Sequence, residues 1–149
     1  MKAVIALGAN LGDPRKQVSI AIDEIRDLVK ITAVSNLYET TPVAVPDNQP
    51  NYINAVLIGE SDLKPLDLMN RLLEIENEMG RHRSFPNAAR TIDIDIIDYG
   101  GLFMESAALT LPHPRAHQRR FVLEPWFEID PDGTLAGAGT VRQLLSDLD

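Results

Sequence analysis

Cysteine is absent from these 149 residues, which excludes a disulfide framework, thiolate chemistry and any cysteine-based zinc site. Aromatic residues are scarce at 5%, with a single tryptophan. No apolar run approaches the ~20 residues that span a bilayer. The N-terminal run Met1-Lys2-Ala3-Val4-Ile5-Ala6-Leu7-Gly8 is too short for a signal peptide. Positive charge is also in short supply: 14 Lys+Arg stand against 22 Asp+Glu, a net charge of -8. A general binder of nucleic acid or of an anionic membrane presents a basic surface instead. The chain has no internal repeat. The expectation is one soluble, cytoplasmic domain over residues 1–149, long enough to bury a core and acting on small molecules as a monomer.

What the chain does have is centred on Arg90-Thr91-Ile92-Asp93-Ile94-Asp95-Ile96-Ile97-Asp98-Tyr99. This run is short, rich in isoleucine and closed by Gly100-Gly101, so it reads as a β-strand. Side chains two apart share a face of a strand, which sets Asp93 beside Asp95 and turns Ile92, Ile94 and Ile96 the other way. Paired carboxylates repel unless something positive lies between them. A divalent cation such as magnesium, which takes one or two carboxylates plus water and phosphate oxygens, is one resolution. A solvated face whose aspartates pair with arginines is the other.

In chain order, Lys2 to Leu7 predicts a buried strand ending at Gly8, with a tight turn over Gly8–Asp13. Asp13 is the expected N-cap and Pro14 the first residue of an amphipathic helix reaching about residue 29. Ile31 to Tyr38 predicts a second strand. Thr40 to Pro50 holds three prolines and predicts a long loop. Asn51 to Ile58 predicts a third strand, with Tyr52, Asn54, Val56 and Ile58 on one face and Ile53, Ala55 and Leu57 on the other. A second helix is expected from about Pro65 to Met79. Glu76 falls on its apolar stripe, as helix-end surface or as part of a site, since a buried carboxylate needs a partner. The tail predicts Phe121–Ile129 on the core, a turn at Asp130–Gly133 and a short helix from Val141.

Two basic segments flank the aspartate strand. Gly80–Arg90 and Leu111–Phe121 together hold Arg81, Arg83, Arg90, Arg115, Arg119 and Arg120, six of fourteen cations, and all three histidines. Arginine's planar fork matches phosphate oxygens. In so acidic a chain this concentration favours a metal–polyphosphate site over plain charge neutralisation. The elements run β-α-β-β-α-β with a C-terminal extension, the order of an α+β, ferredoxin-like sandwich with helices on one face of the sheet.

Several stretches, in this order, resemble one known family: Ala6–Asp13, Tyr38-Glu39-Thr40, Gln49–Ala55, Ile75-Glu76, Gly80-Arg81, Arg90–Asp95, Pro112–Arg115 and Phe121-Val122-Leu123. They extend over about four fifths of the chain. The family is the 6-hydroxymethyl-7,8-dihydropterin pyrophosphokinases of folate biosynthesis, which transfer pyrophosphate from MgATP to the pterin's hydroxymethyl oxygen and release AMP. The resemblance implies Asp93 and Asp95 as ligands of two Mg2+ ions and Arg81 and Arg90 as catalytic arginines. It implies ATP contacts at Arg83, Thr110, His113 and Arg119, and a pterin pocket of Thr40, Val43, Tyr52, Asn54 and Phe121. Glu76 matches an acidic position of the family with no role implied. Where many members carry Arg-Trp-Gly-Pro, this chain has Phe85-Pro86-Asn87-Ala88-Ala89, without the tryptophan. The rival readings are a palm-like nucleotidyl transferase, which also uses paired carboxylates, and a ferredoxin-like module that binds a small ligand without chemistry.

Overall fold

The computed structural model describes residues 1–41, 50–80 and 92–149. It combines helices with antiparallel sheet. The elements are β1 (Lys2–Ala9), α1 (Pro14–Ile25), β2 (Lys30–Val34), β3 (Tyr38–Thr40), β4 (Tyr52–Glu60), α2 (Pro65–Gly80) and β5 (Asp93–Tyr99). They continue as β6 (Met104–Glu105), β7 (Thr110–Leu111), α3 (Arg120–Ile129), β8 (Thr134–Leu135), β9 (Gly139–Thr140) and α4 (Val141–Asp147). The main sheet runs β2-β4-β1-β5, with β3 also on β4, and every pairing is antiparallel.

Three expected boundaries move. β1 does not stop at Leu7: Gly8 pairs with Asn54 and Asp93, and Ala9 with Ile53, so the turn begins at Asn10. A central strand bonded on both sides carries its glycine along in extended form. The first helix ends at Ile25, and a turn closed by Leu28 and Val29 amides on the Ile25 carbonyl still delivers Val29 to the core. The expected strand over 31–38 is two strands. Ser35 interrupts it, because its hydroxyl accepts from the Val56 amide at 3.0 Å while its own amide bonds the Val56 carbonyl.

Alternation along the strands builds two cores, one on each face. Ile5, Leu7, Ile53, Ala55, Leu57, Ile94 and Ile96 pack against Val18, Ala21 and Ile25 of α1 and Leu68 and Leu72 of α2. Val4, Val56, Ile58 and Ile97 pack against Val122, Leu123 and Trp126 of α3 and Val141 of α4. Adjacent Ile96 and Ile97 serve opposite cores by this alternation, and the β1–β5 register shift between Val4 and Ile5 leaves one extra residue on β5, which sets Ile97 and Asp98 on the same side. Asp98 then fastens the C-terminal layer to the sheet edge, accepting from the amides of Gly101 (2.9 Å) and Ala136 (3.1 Å). Among the described residues, the C-terminal layer covers only part of its face and leaves the other end open. Among the described residues, no helix is long and apolar enough to cross a membrane.

Candidate active site

The open end of the sheet is a row of cross-strand partners, which share a face. Gly8 sits between Asn54 on β4 and Asp93 on β5, and Ala6 sits between Val56 and Asp95. Thr40 on β3 faces Tyr52. The smallest residues of β1 thus form a floor with amide, hydroxyl and phenol on one side and two carboxylates on the other. The N-terminus of α3 closes the end with Arg119, Phe121 and Val122. These residues, apart from the buried Val56, line a cavity of about 380 Å³.

Each wall has a local cause. Asn54 is 5% exposed, and its Nδ2 donates to Thr40 Oγ1 at 2.7 Å, which fixes the plane of the amide. Phe121 is 39% exposed, with the Arg119 guanidinium 5.5 Å from its ring centre. Behind the aspartates, Glu76 of α2 is buried, and its Oε2 accepts from the Ile94 amide at 2.6 Å. β5 ends the sheet order, so alternate amides point outward, and this carboxylate satisfies the one between Asp93 and Asp95.

His113, in the segment before α3, is not among the residues lining that cavity but lies within the electrostatic reach of Asp95 and Arg119. Its amide donates to the Ile97 carbonyl at 2.9 Å, and its Nδ1 accepts from the Arg115 amide at 3.2 Å. Nδ1 acting as acceptor leaves the proton of the neutral ring on Nε2. Burial lowers the His113 pKa from its ordinary 6.5; Asp95 opposes that, while Arg119 and Arg115 reinforce it. On the far side of Asn54, Tyr38 donates to Glu128 of α3 at 2.7 Å. Burial, and then Glu128, push that phenol up to about 12. Tyr38 is a strut between the sheet and α3.

The donor set suits magnesium. Two carboxylates on one strand face, beside a floor of alanine and glycine, leave room for the water and phosphate oxygens that complete its octahedron. No cluster of three or more His, Cys, Asp or Glu able to hold a metal occurs among the described residues.

A family model described as 7,8-dihydro-6-hydroxymethylpterin-pyrophosphokinase (HPPK) matches residues 4–131. The chain belongs to this pyrophosphokinase family. A 2-amino-4-hydroxy-6-hydroxymethyldihydropteridine pyrophosphokinase of Haemophilus influenzae is 39% identical over 145 residues, covering 96% of this chain and 90% of that one. The protein of the same name from Pseudomonas aeruginosa is 36% identical over 147 residues, covering 97% and 90%. A crystal structure of Plasmodium falciparum HPPK-DHPS with pterin and p-hydrobenzoate superposes with a TM-score of 0.74 at 16% identity. That likeness is one of fold; it covers 98% of this chain, which spans 44% of the solved one.

Of the residues the pyrophosphokinase pattern singles out, Asp93, Asp95, Thr40, Tyr52, Asn54, Arg119 and Phe121 line the one cavity. Thr110 pairs with Glu105 in a small separate ribbon and is not part of that lining. Arg81, Arg83, Arg90 and Val43 lie outside the described residues. The second basic segment is less concentrated on the site than its composition suggests. Arg120 turns to the C-terminus and pairs with Asp149 at 2.5 Å, Arg115 is exposed, and Arg119 alone of its three arginines lines the cavity. Gly8 and Ala6 were missed as lining residues; their signal is the strand register, which a sequence read in order does not display. A larger groove of about 660 Å³ lies between α1 and α2 on the opposite side, lined by Glu24, Asp27, Glu74 and Glu78. Its acidic rim disfavours a polyphosphate.

Proposed function

We propose that the chain transfers the pyrophosphoryl group of ATP to the hydroxymethyl oxygen of 6-hydroxymethyl-7,8-dihydropterin and releases AMP, in folate synthesis. The supporting observation is a cavity that sets a polar, aromatic-edged half beside two carboxylates. In this reading Tyr52 and Phe121 stack on the flat pterin, and Asn54 and Thr40 hydrogen-bond its edge. The family resemblance assigns Val43 to the pterin as well.

Asp93 and Asp95 would hold two magnesium ions, which when bound neutralise phosphate charge and orient the reacting oxygens. Arg119, Arg83 and Thr110 contact the nucleotide. His113, neutral and carrying its proton on Nε2, donates to a phosphate oxygen. Arg81 and Arg90 stabilise the charge that shifts from the β-phosphorus onto departing AMP. The chain needs no nucleophile of its own, because the attacking group is the pterin alcohol, and its work is alignment and exclusion of water.

The sheet order β2-β4-β1-β5, with α1 and α2 together on one face, supports a ferredoxin-like sandwich with a C-terminal extension. We take residues 1–149 as one domain, working as a cytoplasmic monomer on small molecules without nucleic acid or membrane. The test is product analysis with MgATP and the pterin alcohol. AMP and the pterin diphosphate in equal amounts are expected. Inorganic pyrophosphate with an adenylylated product would indicate the nucleotidyl-transferase reading, and binding without turnover the ligand-binding module.

A further inference from the structure

Gly8 has no backbone reason to be glycine. Gly12, Gly100, Gly101, Gly137 and Gly139 all have positive φ, where a side chain is strained. Gly8 lies instead in the extended middle of a pairing between β4 and β5, where any residue fits. Among the described residues, a side chain there clashes with one atom. A Cβ on Gly8 would lie 2.9 Å from Asn54 Oδ1, with the Ile53 carbonyl oxygen next at 3.9 Å and Asn54 Cγ at 4.0 Å. The clash can be relieved by turning or shifting the Asn54 amide, a small adjustment for the fold. That amide, however, is buried and tied through Nδ2 to Thr40 Oγ1 at 2.7 Å, so the adjustment breaks or bends the bond that aims it.

We propose that Gly8 is a specificity-determining positioning residue: its missing side chain holds the Asn54 amide flat in the cavity floor, at the angle that reads the pterin edge. This rests on the pterin pocket assigned above. Gly8 acts through Asn54, so its substitution weakens the pterin and spares the nucleotide. The row Asn54–Gly8–Asp93 also makes Gly8 the gap between the heterocycle's half of the cavity and the carboxylate half.

The experiment is a double-mutant cycle on Gly8→Ala and Asn54→Ala, read by calorimetric affinity for 6-hydroxymethyl-7,8-dihydropterin and, separately, for a non-hydrolysable ATP analogue with Mg2+. Gly8→Ala is expected to weaken the pterin about tenfold, the scale of one well-made hydrogen bond, with analogue affinity and Tm near those of the parent. In the Asn54→Ala background, where the opposing oxygen is gone, Gly8→Ala is expected to have no further effect. An additive loss there, or equal losses for pterin and analogue, overturns the proposal. If Gly8→Ala alone does not fold, the double variant must fold, and its failure also overturns it. Should Asn54→Ala itself leave pterin affinity unchanged, the pocket assignment fails rather than the role of Gly8 within it.

Discussion

At the scale of the residue, the site sets unlike chemistries on neighbouring strand positions, and each has its own consequence. Asp93 and Asp95 are like charges on one face of β5, held there by pairing to Gly8 and Ala6. Removing one carboxylate relieves repulsion while removing a proposed metal ligand. Asp95→Ala is therefore expected to fold at least as stably as the parent and to lose AMP formation by about a hundredfold or more. A thermal melt and a turnover assay check the two halves, and near-parental turnover in the folded variant ends the metal assignment. His113 gives a pH signature. Its pKa in the folded chain lies below the ordinary 6.5, chiefly through burial, so below that pH the unfolded chain binds more protons than the folded one. Its contribution to stability is complete above pH 6.5 and is lost as the pH falls. His113→Asn is expected to flatten the fall in Tm between pH 7.5 and 5.5, measured without ligands; an unchanged slope removes His113 as the cause.

At the scale of the element, β5 depends on a side chain from α2. Glu76 accepts from the Ile94 amide at 2.6 Å, inside the layer that α2 covers. Glu76→Gln keeps an acceptor, whereas Glu76→Leu leaves the Ile94 N–H buried without this partner, at about 1–3 kcal/mol or roughly 2–10 °C in Tm for a chain of this length. Faster hydrogen exchange at Ile94 in the leucine variant and not in the glutamine variant is the expected outcome; equal exchange in both refutes the role. Glu76 also marks how far the sequence could be read. Its place on the apolar stripe was legible from helical period, as were the shared face of Asp93 and Asp95 and the split of β4 into Tyr52/Asn54 and Ile53/Ala55 faces. Period describes one element at a time. It could not tell that Glu76 meets the strand amide between the aspartates, that Ser35 takes over a ladder bond and splits a strand, or that Gly8 belongs to a strand. Those depend on register between distant segments. Composition misled in one respect, since Arg120 counts toward a basic segment yet pairs with Asp149.

At the scale of the whole molecule, one sheet supplies both cores, and this couples the C-terminal layer to the site. Val4 packs toward α3 and α4 while its neighbour Ile5 packs toward α1 and α2, and Ile96 and Ile97 divide in the same way. The C-terminal ribbon of β8 and β9 has two residues in each strand, far too little to stand alone. Its layer is held by Trp126, 1% exposed with Nε1 donating to Asp130 Oδ2 at 3.1 Å, and by Asp98 reaching Ala136 from the main sheet. The same layer carries Arg119 and Phe121 into the cavity, so its detachment would open one wall of the site. Residues 1–149 are accordingly expected to unfold as one cooperative unit. Trp126 is the only tryptophan, so its fluorescence reports the C-terminal layer while far-UV circular dichroism reports the whole chain. Urea titrations followed by the two signals are expected to share one midpoint and one slope. A fluorescence transition that precedes the dichroism transition would show the extension melting off an intact sheet, and the one-domain reading would give way to a core with a separable lid.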